Sequence, residues 1–360
     1  MAKEEKKFTI KEFLRRYFIN GLNGMALGLF CTLIIGLIIK QIGGFIGGDI
    51  GSFIIGVGTL ASVCTGAAIG IGTAYCLGAP RLIIFSSAVT GLLGANASAF
   101  VSGKLIVDGI VNLKGPGDPL GAFIAVVAGA EVAKLVAGKT KVDIIITPFF
   151  TILVGSVAGA VVGPPLSKGM LWLGQAITVA TEMQPFIMGI IISVVMGIIL
   201  TLPISSAALS IVLSLSGLPA GAATIGCSTQ MIGFAVASFR ENGWNGLFAQ
   251  GLGTSMLQVP NIVKKPVIWL PPIIASAILG PLGTCVFKME NNPAGGGMGT
   301  SGLVGQIMTW QTMASTRSSG VLMFEIILLH FVLPAILTLI ISEYMRKKGY
   351  IKLGDMKLDV

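Results

Sequence analysis

The sequence predicts an all-α polytopic membrane protein with about ten transmembrane helices, an internal repeat, broken helices and a re-entrant hairpin. Of its 360 residues, 54% are hydrophobic and only 11% are charged, and the mean hydropathy is +0.90. A soluble domain could not bury so much apolar surface. We therefore expect the whole chain, residues 1–360, to form one transmembrane domain with the lipid bilayer as its first partner.

Ten segments are long and apolar enough to span a bilayer, because about 20 apolar residues cross roughly 30 Å of hydrocarbon. The second and the sixth exceed that length, so we expect both to be broken. The predicted spans cover residues 18–39, 50–77, 82–102, 121–138, 143–163, 185–215, 219–239, 245–261, 266–285 and 320–344.

Basic residues set the predicted orientation, because lysine and arginine concentrate in cytoplasmic loops. They precede the first span and follow the last, so we expect both termini in the cytoplasm and an even number of crossings. This orientation explains the formal net charge of +9, and no nucleic-acid partner is expected. The residues that carry the argument are Lys3, Lys6, Lys7, Lys11, Arg15, Arg16, Arg81, Lys139, Lys141, Lys264, Lys265, Arg346, Lys347 and Lys348.

Aligning the chain on itself indicates an internal repeat. An offset of 139 pairs residues 58–100 with 197–239, and an offset of 124 continues the pairing beyond a polar insertion. We assign the first copy to residues 45–163 and the second to 184–283. Each copy has four predicted spans, so both are expected to keep the same orientation. Repeats that face each other with a site between them are typical of transporters.

The long segment of each copy is interrupted near its middle. In the second copy Pro203 removes a helical hydrogen-bond donor, and Ser205 and Ser206 follow it. Irregular backbone at membrane depth survives only where protein or a wet cavity surrounds it. This break is therefore expected to form one wall of a substrate site, and a proline kink satisfied by the two serines is the alternative.

Small polar residues in the segment after each break are further candidates. Thr90 and Asn96 belong to the first copy, and Thr229 and Gln230 belong to the second. A buried amide needs partners for both its donors and its acceptor, so Asn96 and Gln230 suit a hydroxyl-rich ligand. Close helix packing is the alternative use of small polar residues.

Ionisable residues within spans are costly and mark candidate sites. Glu131 and Lys134 lie one helical turn apart and can pair, so a structural ion pair and a site are both open. Glu325 and His330 lie on helix faces roughly 140° from each other, and a lone histidine on an apolar face is commonly a core residue. The sequence has no nucleophile motif or metal-ligand spacing, so we expect no catalytic residue, metal or cofactor.

The stretch NPAGGGMGTSGLVGQ, residues 292–306, lies in a glycine-rich segment, 286–319, between the last two predicted spans. Glycine lets backbone N–H groups approach a ligand closely, and Thr300 or Ser301 can cap a short helix. The segment is too polar to cross a membrane and too apolar for a plain loop. We expect a re-entrant hairpin that brings Asn292 and both hydroxyl residues toward the site, and a flexible external loop is the alternative.

The motif LTLPISSAAL at residues 200–209, together with the glycine stretch and the ten-span layout, resembles the membrane component (EIIC) of bacterial sugar phosphotransferase systems, in the perfringolysin-regulator-like branch. The resemblance implies a homodimeric permease of the bacterial inner membrane that works with separate IIA and IIB phosphocarrier proteins. Sugar-translocating relatives use a buried histidine and a glutamate in motifs that this chain does not match, since Glu325 and His330 stand in other contexts.

The first functional hypothesis is therefore a transporter of a small polar solute, best a sugar, with its site between the two repeats. A secondary carrier for an organic acid, without phosphotransfer, is the second hypothesis, and a membrane sensor or regulatory protein is the third. The residues themselves predict no enzyme activity, and a place as the translocating subunit of a phosphotransferase complex rests on the resemblance alone.

Overall fold

A computed structural model describes residue 12 and residues 15–113 and 115–358. The lysines of the predicted basic start lie outside these residues. In chain order the helices are α1 (Arg15–Ile46), α2 (Gly48–Val63), α3 (Thr65–Cys76), α4 (Arg81–Ala95), α5 (Ala97–Val101), α6 (Pro119–Val136), α7 (Asp143–Thr181), α8 (Pro185–Thr201), α9 (Ser206–Val212), α10 (Leu218–Ala237), α11 (Phe239–Phe248), α12 (Val259–Lys264), α13 (Pro266–Val286), α14 (Val304–Met313) and α15 (Ser319–Lys347). Two short strands, β1 (Ile106–Val107) and β2 (Ile110–Val111), pair antiparallel between α5 and α6.

Six of the ten predicted segments form single helices of membrane-spanning length. Among the described residues, six helices are long and apolar enough to cross a membrane, and the bent pair of α2 and α3 adds a seventh if it is one span. Two further apolar helices, α4 and α8, are shorter. The protein thus has an all-α polytopic membrane fold, while the number of ten spans stays a prediction.

Both predicted breaks are present. α2 and α3 meet at a bend of 46° around Cys64. α8 ends at Thr201, and Leu202 has extended backbone before α9 begins at Ser206. Pro203 explains this second break, because it has no N–H to donate and because it disfavours helical backbone in the residue that precedes it.

The predicted eighth span, residues 245–261, is not a continuous helix. After α11 the chain forms a π turn, Ala249–Gly253, an extended residue, Thr254, and a 3₁₀ turn, Ser255–Gln258, before α12 begins. Two glycines in the π turn favour irregular backbone over a long helix. Thr254 then caps the 3₁₀ turn, since its hydroxyl accepts a hydrogen bond from the Met256 amide at 3.1 Å.

One end of the bundle, here called the basic end, gathers cationic side chains. These are Arg16, Lys134, Lys265 and Arg346. The first two share Glu131 (2.9 and 3.0 Å), the third pairs with Asp355 (2.5 Å), and the fourth pairs with Glu241 (3.2 Å). α12 packs against the first turns of α1 and joins these groups into one surface. This agrees with the predicted clustering of basic residues on one side, and the cytoplasmic location of that side stays a prediction.

The segments paired by the internal alignment run in opposite directions. The carbonyl of Leu77, just before α4, accepts a hydrogen bond from Lys134 at the basic end (3.0 Å). α4 therefore begins at the basic end. The carbonyl of Ala237 accepts a hydrogen bond from Arg346 (3.0 Å), so α10 ends there. Because the alignment pairs Pro80 with Pro219 at the starts of these two helices, the prediction that both copies keep one orientation is wrong.

The turn at Pro203 is the physical reason for this reversal. Thr201, the last residue of α8, lies within 3.5 Å of Gln230, late in α10. After α9, however, Gly217 lies at the beginning of α10. α8 and α9 therefore return the chain to the end from which it came, and the long segment does not make the single crossing that the orientation argument assumed.

Candidate functional site

A partly open cavity of about 70 Å³ lies where five parts of the chain meet. They are α1, the loop before α6, the break after α8, the turns before α12, and the glycine-rich segment. The lining residues are Leu29, Leu33, Ile34, Leu37, Pro116, Gly117, Pro119, Leu200, Ile204, Ser205, Ser206, Ala207, Gly253, Thr254, Met256, Gly297, Met298 and Ser301. None of these described lining residues carries a charged side chain.

The break and the glycine-rich segment touch directly at the cavity. The Ser206 hydroxyl, which is buried, donates a hydrogen bond to the Gly297 carbonyl at 2.7 Å. A Cβ atom at position 297 would overlap the Ser206 carbonyl, so only glycine allows this approach. Both segments were selected from the sequence, and in the structure they are in contact.

Residues 291–306 of the glycine-rich segment, here called the glycine segment, follow α10 and then reverse. Asn291 exchanges two backbone hydrogen bonds (2.9 and 3.2 Å) with Gly217, which precedes α10. About 20 Å further along α10, the Thr300 hydroxyl donates to the Met231 sulfur at 3.4 Å. The Gly305 amide then donates to the Gly299 carbonyl at 3.1 Å, which fixes the return.

Asn291 clamps both arms of this segment, a role that the sequence analysis missed. Its buried amide nitrogen donates to the Thr224 hydroxyl of α10 (2.7 Å) and to the Gly305 carbonyl (3.1 Å). Its amide oxygen accepts a hydrogen bond from the backbone of Asn292 (2.8 Å). The two asparagines in succession before a proline were the available signal. Asn292 itself holds the next turn, since its oxygen accepts from the Gly295 amide at 3.1 Å.

Ser301 presents an unpartnered hydroxyl at the cavity. Its side chain is 4% exposed, and its oxygen has no hydrogen-bond partner among the described residues. It does not cap the short helical turn that it begins. A buried hydroxyl without a partner costs about 1–3 kcal/mol, so a ligand hydroxyl placed here would gain a hydrogen bond that the protein leaves open.

Gln230, Thr229 and Thr300 are buried near the break but do not line the cavity. The oxygen of Gln230 accepts a hydrogen bond from the indole of Trp269 at 2.9 Å and a longer one from Thr201 at 3.5 Å. Its amide nitrogen has no partner within the described part of the chain. The Thr229 hydroxyl donates a hydrogen bond to the Ile225 carbonyl, one turn earlier in α10 (2.7 Å). Gln230 thus links α10 to α13 and α8, and Thr300 links the glycine-rich segment to α10, whereas the Thr229 contact stays within α10.

Thr90 and Asn96 of the first half do not line the cavity. The Thr90 hydroxyl donates to the Thr151 carbonyl at 3.2 Å, which binds α4 to α7. The side-chain amide of Asn96 donates to the Leu92 carbonyl at 2.9 Å, where α4 ends. The Thr90 contact matches the packing alternative that the sequence left open for small polar residues, whereas the Asn96 contact stays within its own helix.

The four ionisable candidates all have protein contacts outside the cavity. Lys134 and Glu131 pair as expected, and Arg16 joins them. Glu325 accepts a hydrogen bond from Arg317.

His330 is fully buried, and its Nδ1 atom lies 3.2 Å from the side-chain nitrogen of Gln306, while its Nε2 atom has no partner among the described residues.

Asp118, in the loop that lines the cavity, is a titratable group that the sequence analysis did not select. Its carboxylate caps α6 by accepting a hydrogen bond from the Leu120 amide at 3.2 Å. Burial raises its pKa from the usual 3.8 to about 6, although the amides of Leu120 and Gly121 act in the opposite direction. The carboxylate is therefore ionised at neutral pH against a desolvation cost.

The Asp118→Asn variant is expected to flatten the pH dependence of stability. Because the folded pKa exceeds the unfolded one, the folded protein binds the extra proton between about pH 4 and 6, and stability falls as the pH rises through that window. Asparagine keeps the helix cap without titrating. Thermal unfolding from pH 4 to 7 measures the slope, and Asp108→Asn in the exposed turn between β1 and β2 should keep the parental slope. An unchanged slope in Asp118→Asn would contradict the assignment.

Comparison with known proteins identifies the family. The family described as "Phosphotransferase system, EIIC" matches residues 19–358, nearly the whole chain. No curated protein and no solved structure matches the chain. The chain belongs to the EIIC family of the phosphotransferase system, and it is a multi-pass bacterial membrane permease of this sugar-transporting system that works with IIA and IIB phosphocarrier proteins.

Proposed function

We propose that the protein translocates a neutral sugar or sugar alcohol and that the cavity is its solute site. The observation that carries the proposal is the meeting of the Pro203 break and the glycine segment at one cavity, through Ser206 and Gly297. Transporters place irregular backbone where a solute binds, because the backbone groups that a helix leaves unpaired are then available to the ligand.

The lining of the cavity favours a neutral polyol. Ser205, Ser206 and Ser301 bring hydroxyl groups, and Thr254 adds a fourth. On the opposite side, the leucines of α1 offer an aliphatic surface for the C–H faces of a sugar ring. An organic acid would bring a carboxylate into a lining whose described side chains are uncharged, and an unpaired charge is costly to bury. The sugar hypothesis is therefore preferred to the acid carrier.

Several more detailed predictions from the sequence belong to this proposal. We place the glycine segment within the membrane as a re-entrant hairpin, supported by its course along α10 and back. Ten spans, an internal repeat, cytoplasmic termini, a homodimer and the perfringolysin-regulator-like branch stay predictions. The solute site is assigned to Ser205, Ser206 and Ser301, with Gln230, Asn292 and Thr300 as supports.

Replacing Ser301 with alanine is expected to weaken solute binding about fivefold, because one hydrogen bond contributes about 1 kcal/mol. Calorimetric titration of the purified protein with a panel of sugars and sugar alcohols measures the affinity. Ser87→Ala is the matched control, since the Ser87 hydroxyl is also buried and has no hydrogen-bond partner in the described part of the chain, but it lies in α4 and does not line the cavity. Binding of organic acids alone, or equal affinities in the two variants, would contradict the proposed site.

A further inference from the structure

The residues after α15 form a strap across the basic end. This strap, residues 349–358, folds back from the end of α15 and buries three apolar side chains, Ile351, Met356 and Leu358. The ion pair between Asp355 and Lys265 (2.5 Å) fixes its middle. Its position is therefore specified by packing and by charge.

Side-chain amides hold the strap by its backbone. Asn242 both donates to the Met356 carbonyl (2.9 Å) and accepts from the Leu358 amide (2.8 Å). Gln258 donates to the same Met356 carbonyl (2.9 Å), and Asn261 donates to the Lys357 carbonyl (2.8 Å). Side-chain amides can serve both donors and acceptors of a main chain in this way.

These amides flank the cavity wall that contains Gly253, Thr254 and Met256. Leu358 packs in one cluster with Leu257 of this wall and with Ala26 of α1. The wall thus has the cavity on one face and the strap on the other. Because the strap also contacts α1, it joins the wall to the opposite side of the cavity.

The wall has little regular secondary structure. Between α11 and α12 it consists of a π turn, one extended residue and a 3₁₀ turn. Segments with so little regular hydrogen bonding open more readily than long helices. The wall also packs on α1 through Met256 and bonds to Thr201 of α8 through Ser255, and the strap adds contacts on its other face.

We propose that the strap is a latch that keeps the cavity closed toward the basic end, and that its release opens the cavity to that side. This proposal depends on the proposed function in one respect, because it takes the cavity as the path of the solute. Opening at the basic end requires the wall to separate from α1, and that movement breaks the contacts of Leu358.

Accessibility of a cysteine in the wall tests the latch. The reporter is Met256→Cys in a full-length chain whose five native cysteines are replaced by alanine. Sealed vesicles with the basic end outward are treated with a charged, impermeant maleimide. Deletion of residues 349–360 and the single change Leu358→Ala are each expected to raise the labelling rate about tenfold, because both free a local opening.

Leu353→Ala is the matched control, because Leu353 lies in the same strap but is exposed. It should label at the parental rate. A parental rate in the folded deletion protein overturns the proposal. If the deletion protein does not fold, Leu358→Ala decides, and a rate equal to that of Leu353→Ala overturns it. Labelling needs no solute, so a protein that failed to bind sugars would leave this result unaffected and would count against the proposed function alone.

Discussion

Replacing Gly297 with alanine is expected to abolish solute uptake. The new Cβ atom would overlap the backbone carbonyl of Ser206, which cannot move aside as a flexible side chain would. The break and the glycine segment would have to separate, and the 2.7 Å hydrogen bond from the Ser206 hydroxyl would be lost. Overpacking of this kind costs about 1–3 kcal/mol. Uptake of labelled sugar by cells and thermal unfolding of the purified protein measure the two effects.

Gly320→Ala is the matched control for this prediction. Gly320 lies in the first turn of α15, and a Cβ atom there meets no other atom within 4 Å. It should leave uptake and stability close to those of the parent protein. Full uptake by Gly297→Ala would show that transport does not need the close contact between the two walls.

Neutralising Glu241 is expected to lower the free energy of unfolding by about 3 kcal/mol, because loss of one partner leaves a buried charge without compensation. The side chains of Glu241 and Arg346 are only 2% and 9% exposed and pair at 3.2 Å. The same carboxylate also accepts a hydrogen bond from the Gly354 amide of the strap at 2.9 Å. Thermal unfolding of Glu241→Gln in detergent is the measurement.

Glu343→Gln removes a second carboxylate from the same arginine and serves as the control. Glu343 is 29% exposed, lies 4.0 Å from Arg346 and pairs with the exposed Arg240 at 3.1 Å. Exposed pairs contribute at most about 1 kcal/mol, so this variant should lose much less stability. Equal losses in the two variants would mean that burial of the Glu241 pair does not control its contribution.

The fold class and the broken segments could be predicted because their causes are local. Apolar length predicts helices, and Pro203 stops a helix in whichever fold contains it. The direction of the chain after Pro203 depends on what α9 contacts, which no local pattern contains. The same lack of tertiary information made residues 245–261 resemble a span, since a buried wall and a buried helix have similar composition.

The candidate site was predicted in part for a related reason. Ser206 and Ser301 were selected as polar residues next to irregular backbone, and the structure places both at one cavity. Thr90 and Asn96 were selected on polarity as well, but a hydroxyl or amide that satisfies a neighbouring carbonyl has the same sequence signature as one that binds a solute. Asn291 was missed because its contacts to α10 and to Gly305 are visible only in three dimensions.

The uncharged lining of the cavity has a consequence for the energetics of transport. Moving one elementary charge through 100 mV is worth about 2.3 kcal/mol, and a neutral solute held by hydroxyl groups and leucines does no such electrical work. For the neutral solute proposed above, the membrane voltage does no work on the solute itself. Phosphoryl transfer, the chemistry of the system to which the chain's family belongs, would drive accumulation of such a solute by removing the arriving sugar from the transport equilibrium.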